Sequence, residues 1–255
     1  MHAEEAVWLE SMRERGRCTV PPATEEELWH LYALSRLCES LVHAASCHLN
    51  GGGAQLLSMT QVESFLKSLG IEAIRPQAYA PFHHEIVGTI AAGNAVEPPS
   101  VQAWHWPCLM LGSLLIMRGG VTVKVGPRAL DPVIASTATL YWAYSREGRP
   151  THDLAHGWGS NSSWRTAFRR DYRFGNTVHF NVDGPCDLAL VDQVGCDDDY
   201  DDLTRMERIE LLVYRSFVTI SKEHGDRFPY DDRWSTSVAA GHSGPPGSLW
   251  RRLFL

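Results

Sequence analysis

The hydrophobic periodicity of this chain changes at Ile71–Pro76, from a helical repeat before it to alternation after it. A chain that carries both periods is expected to pack helices against sheet, so the fold class read from it is α+β. Upstream, Glu4–Arg15 suits a short helix that Gly16 and Pro21–Pro22 end. Thr24 and Glu27 have the spacing of a capping box. From there Leu28, Leu31, Tyr32, Ser35, Cys38, Val42 and Ala45 recur on one helical face, until Asn50 and Gly51–Gly53 stop them. A further helix from Thr60 places Val62, Phe65, Leu66 and Leu69 together and stops at Gly70. Residues 1–76 are thus expected to be helical.

Residues 77–127 read as a small β-domain. Glu85–Ala91 and Val101–Trp106 have strand character, and Ser113–Met117 and Val121–Val125 suggest a strand pair joined around Arg118–Gly120. Residues 128–255 form a C-terminal α/β region. Thr137–Tyr144 (TATLYWAY) is strand-like, and Ser163 is a candidate N-cap of a short helix running to Tyr172. Thr177–Val182 alternates and ends at the Asp183–Gly184 turn. Thr204 and Glu207 repeat the capping-box spacing before an amphipathic helix carrying Leu203, Met206, Ile209, Leu212, Val213, Phe217 and Ile220. The tail from Ser235 is expected to be loosely ordered, with Leu249–Leu255 apolar enough to dock.

Hydrophobic residues at 44% and charged ones at 21% supply a core and argue against disorder. A net charge of −7 opposes general nucleic-acid binding. The six cysteines form no CxxC pair, the N-terminus lacks a continuous apolar segment, and the most apolar stretch, Ala103–Met117, is too short to span a bilayer. The expectation is a soluble, cytoplasmic protein without a disulfide framework or membrane partner.

The segment Val62–Val125 resembles the second half of GrpE, the nucleotide exchange factor of DnaK-type chaperones. VESFLKSLGIEAIRP matches that family's helix and its exit, His84, Glu85 and Val87 match its HEAV positions, and Val96–Glu97–Pro98 resembles its VEPG turn. Leu111–Val125 resembles its final strand pair, although Gly119–Gly120 stands where the family has Pro-Ala and the long N-terminal paired helix has no counterpart. The resemblance implies a co-chaperone that opens a chaperone's nucleotide cleft by differential binding, with Trp104, Trp106 and Arg118 as partner-binding residues.

Two other constellations carry chemistry of their own. His83, Glu85, His152 and His156 are of metal-ligating type, and define an alternative: a zinc or non-haem iron enzyme acting on an anionic small molecule or peptide. Gly157–Gly184 concentrates Asn161, Trp164, Arg165, Arg169 and Arg170, whose guanidiniums and indole suit an anionic ligand or a second protein partner. The same arginines are equally placed to pair with Asp171, Asp183 and the acidic run Asp197–Asp202, tying the C-terminal region together. No nucleophile elbow, P-loop or dinucleotide fingerprint is present.

Overall fold

A computed structural model describes residues 3–15, 19–46, 57–152, 168–190, 203–221 and 230–237. Three helices open the chain: α1 (Ala3–Arg15), α2 (Glu25–Ser46) and α3 (Met59–Ser68). The capping box before α2 forms as its spacing predicts: the Thr24 amide donates to Glu27 at 2.9 Å, and the Glu27 amide to the Thr24 hydroxyl at 3.2 Å. Ser58 and Gln61 build a second such box before α3.

The mixed α+β class is as expected, but the strands are distributed differently. A seven-stranded sheet contains β1 (Glu72–Ile74), β4 (Cys108–Leu111), β5 (Leu114–Met117), β9 (Asp171–Phe174), β10 (Thr177–Phe180), β12 (Asp232–Ser237) and β11 (Cys186–Asp187), in that order across the sheet. Alternate residues of its strands enter different cores. Leu109, Leu111, Leu114 and Ile116 pack with α2 and α3, whereas Met110 and Leu115 pack with α5 (Arg205–Tyr214) through Ile209, Leu212 and Val213. Helices therefore cover both faces, which explains why LMLGSLLIM is apolar at nearly every position.

A three-stranded sheet has β6 (Gly119–Val125) at its centre, parallel to β2 (His84–Ala91) and antiparallel to β3 (Ser100–Trp106). Its core joins Ile86, Val121, Val123 and Val125 to Ala135 of α4 (Pro132–Thr137). A short parallel pair, β7 (Leu140–Tyr141) with β8 (Thr151–His152), lies beyond it.

Several expectations change. β5 and β6 are not a pair. β5 bonds β4 and β9, while β6 bonds β2 and β3, and the chain crosses between the sheets at Arg118, where the Gly119 amide donates to the His83 carbonyl at 2.8 Å. The stretch 77–127 consequently divides between two sheets, one of which also takes in strands beyond residue 170. Of Thr137–Tyr144, only Leu140–Tyr141 is strand, because Asp131 caps Val133 and Ile134 and Pro132 starts α4. The helix expected to reach Tyr172 does not, because Asp171–Phe174 is strand. The helix expected to run to Ile220 stops at Tyr214, where Arg215 turns left-handed at φ 60°. Ser235, expected in a loose tail, lies within β12 between β10 and β11.

Cys38 and Cys108 are buried free thiols, and burial raises both to about 12. Cys186 is disulfide-bonded, against the expectation of a chain without disulfides. Among the described residues no helix is long and apolar enough to cross a membrane.

Candidate functional site

The site begins with two glycines. A Cβ on Gly119 would stand 2.4 Å from the Trp104 ring, and one on Gly120 would stand 2.4 Å from the Trp106 ring. Glycine at both positions lets the two indoles of β3 rest directly on the backbone of β6. The Trp106 indole N–H donates to the Arg118 carbonyl at 2.9 Å, which fixes its edge.

Trp104 and Trp106 wall a cleft of about 540 Å³, whose other sides come from Glu39 and His43 of α2, Glu85 of β2, and Arg146 and Arg149 of the β7–β8 connection. Arg146 is the centre of its polar side. Its Nε donates to Glu85 Oε1 at 2.8 Å, and its Nη2 to Glu85 Oε2 at 3.0 Å and to Glu39 Oε1 at 3.2 Å. The guanidinium carbon lies 5.6 Å from the centre of the Trp106 ring. Burial disfavours the charge of Arg146, but Glu85 and Glu39 outweigh it and raise its pKa above the ordinary arginine range. Arg36 holds the other Glu39 oxygen at 2.6 Å. Arg149 donates to the carbonyls of Ala138 and Ile86 at 2.7 and 2.8 Å, anchoring the connection to α4 and β2. The result is a rigid polar floor beside an aromatic wall, built on a helix and two strands.

Glu39, Glu85, Met117 and Arg146 also line a second, inner chamber of about 20 Å³, together with Arg118, Arg169 and Arg215. Asp171, fully buried, is the hub there. Its Oδ1 accepts from Arg169 Nε at 2.7 Å and from the Asn181 amide at 2.8 Å, and its Oδ2 from Arg215 Nη2 at 3.1 Å. Arg118 Nη2 approaches Oδ2 only to 3.8 Å. Burial pushes the Asp171 carboxyl up, but Arg169, Arg215 and Arg118 outweigh it and leave its pKa below the ordinary value.

The residues singled out from the sequence fall in different places. Trp104 and Trp106 are half-buried cleft walls, and Arg118 is 2% exposed, with its guanidinium turned inward rather than toward a protein surface. Arg169 joins the inner chamber, whereas Arg170 makes a two-pronged ion pair with Asp183, at 2.7 and 2.5 Å, and donates to the Pro21 carbonyl at 2.7 Å. Arg169 and Arg170 thus serve different partners. Asn161, Trp164, Arg165 and His156 lie outside the described residues.

The histidines expected as ligands are engaged separately. His83 packs edge-on against Phe82 and lies 3.4 Å from Arg173 Nη1, and burial together with Arg173 depresses it to about 3. Glu85 is held by Arg146, and His152 Nδ1 meets the Tyr230 hydroxyl. Among the described residues no three His, Cys, Asp or Glu side chains are grouped to hold a metal ion.

Glu39, Arg146, Arg149 and Arg215 carry no sequence signal as site residues, whereas the pairing of Arg169 with Asp171 and of Arg170 with Asp183 is as expected. Arg146 and Arg149 flank a Gly148 turn that reads as an ordinary polar loop, and their partners are far away in sequence. The bunching of Arg169 and Arg170 beside Asp171 was the one local signal of the inner chamber. No known protein family, curated protein or solved structure matches this chain.

Proposed function

We propose that the protein binds a small polar organic molecule, with a ring-shaped body of sugar or nucleoside size, in the cleft walled by Trp104 and Trp106. The observation that carries this reading is the seating of both indoles on Gly119 and Gly120. Its place in the sequence is telling, because the GrpE pattern has Pro-Ala there, and a side chain at either position would take the space of an indole. The 540 Å³ volume falls within the roughly 300–1,000 Å³ typical of small-molecule sites. Indole walls suit the apolar face of a ring, while Glu39, Glu85, Arg146 and Arg149 offer both acceptors and donors to its substituents.

Thermal unfolding of the full chain against a panel of monosaccharides, nucleosides and aromatic carboxylates tests it. At least one class is expected to raise the melting temperature saturably and to change tryptophan emission, and Trp104→Ala is expected to abolish both effects. A panel without a saturable response sinks the reading. Faster release of labelled nucleotide from a DnaK-type chaperone would support instead the exchange-factor function that the Val62–Val125 pattern implies.

A further inference from the structure

We propose that the inner chamber formed by Arg118, Arg169 and Arg215 is a binding site for a single monoatomic anion of chloride size. The proposal is independent of any ligand in the outer cleft.

Charge is the first argument. The outer guanidiniums, Arg36 and Arg146, are matched by Glu39 and Glu85. Among the described residues five guanidiniums, of Arg36, Arg118, Arg146, Arg169 and Arg215, wall the chamber against the carboxylates of Glu39, Glu85 and the adjoining Asp171, an excess of two positive charges, and Arg118 and Arg169 are buried. An arginine side chain stays protonated in a protein, so the excess of two is real charge, and buried charge without a counter-charge is strongly unfavourable.

Hydrogen bonding is the second. All three guanidinium nitrogens of Arg118 are buried without a hydrogen-bond partner, as are Nη1 of Arg169 and Nε of Arg215. Burial, with Arg215 and Arg169 close by, drives the pKa of Arg118 well below the ordinary arginine range, which is the same frustration in another form. A water molecule accepts two hydrogen bonds and cancels no charge. A spherical anion accepts from several directions and does both.

Size selects the occupant. The chamber's 20 Å³ exceeds the roughly 10–15 Å³ that one water molecule requires. It is far smaller than the 540 Å³ of the outer cleft, which favours a compact anion over the body of an organic acid. The surrounding residues also hold their positions for independent reasons: Arg169 donates to the Leu212 carbonyl at 2.5 Å and lies 4.1 Å over the Trp142 ring, so the cavity is braced against collapse.

The experiment is thermal unfolding of the full chain in sodium chloride, sodium bromide and sodium gluconate at matched ionic strength. Chloride and bromide are expected to raise the melting temperature over gluconate by about 4 °C, saturably, and Arg118→Met to remove the difference. Equal melting temperatures in the three salts, or a halide effect that persists in Arg118→Met, overturn the proposal. Should Arg118→Met fail to fold, crystals of the wild-type protein grown in bromide decide. Anomalous density within hydrogen-bonding reach of Arg118 supports the site, and its absence there overturns it.

Discussion

Arg146 and Glu85, 61 residues apart in sequence, meet in a two-pronged ion pair that closes the floor of the cleft, and the same guanidinium reaches Glu39 across 107 residues. One side chain thereby ties α2, β2 and the β7–β8 connection together. Glu85 is buried and Arg146 half-buried, and without Glu85 the guanidinium keeps only Glu39, a loss of about 1–3 kcal/mol. Glu85→Ala is expected to fall in that range by urea unfolding. Glu39→Ala should cost less, because Arg146 keeps Glu85.

The indole seat makes a sharp contrast between glycines. Gly120→Ala forces a methyl group into the Trp106 ring and is expected to destabilise by about 1–3 kcal/mol and to alter the near-ultraviolet circular dichroism of the tryptophans. Gly93→Ala meets nothing within 4 Å and is expected to leave both unchanged to within about 0.5 kcal/mol.

His83 makes stability depend on pH. Its folded pKa is depressed to about 3, first by burial and then by Arg173, so the folded state holds the neutral imidazole while the unfolded chain takes up a proton near pH 6.5. The stabilisation is complete above pH 6.5 and is lost progressively as pH falls toward 3. Between pH 7 and 5 the wild type should lose about 2 kcal/mol more than His83→Gln in urea titrations.

Asp171 acts in a lower window. Its folded pKa lies below the ordinary carboxylate value, so its contribution is present above about pH 4 and disappears as pH falls through the folded value. Asp171→Asn is expected to unfold at neutral pH, or to fold with stability lowered by about 3–5 kcal/mol and without that acid-side slope. Equilibrium unfolding across pH 2–7 measures both.

The raised thiols give a chemical test. Cys38 and Cys108, both pushed to about 12 by burial, should resist maleimide at pH 8 in the folded chain and react on unfolding in urea. Mass spectrometry of the modified peptides reads the outcome.

Local signals in the sequence were dependable where the physics is local. The Thr24–Glu27 and Thr204–Glu207 boxes form as their spacing requires, and the buried face of α2 is Leu31, Ser35, Cys38, Val42 and Ala45, as the helical repeat indicates. Strand partnership is not local. Val121–Val125 reads plainly as a strand, but nothing in VTVKV reveals that its neighbours are β2 and β3 rather than β5. The cleft was half legible. Trp104, Trp106, Glu85 and Arg118 drew notice as residue types, yet the sequence assigned them to a protein surface and a metal. Their real relationship depends on Gly119, Gly120, Arg146 and Glu39, and two glycines beside an arginine carry no pattern that announces an indole above them.

The order of strands in the seven-stranded sheet has a consequence for the chain while it is being made. β5 emerges early but bonds on one side to β9, so Leu114–Met117 has an open edge until Asp171–Phe174 has been synthesised. At roughly 5–20 residues per second that interval lasts roughly 3–11 s. During it an apolar, uncharged strand edge is available to other nascent chains. The apolar edge that the finished sheet hides is therefore exposed while the chain is still growing.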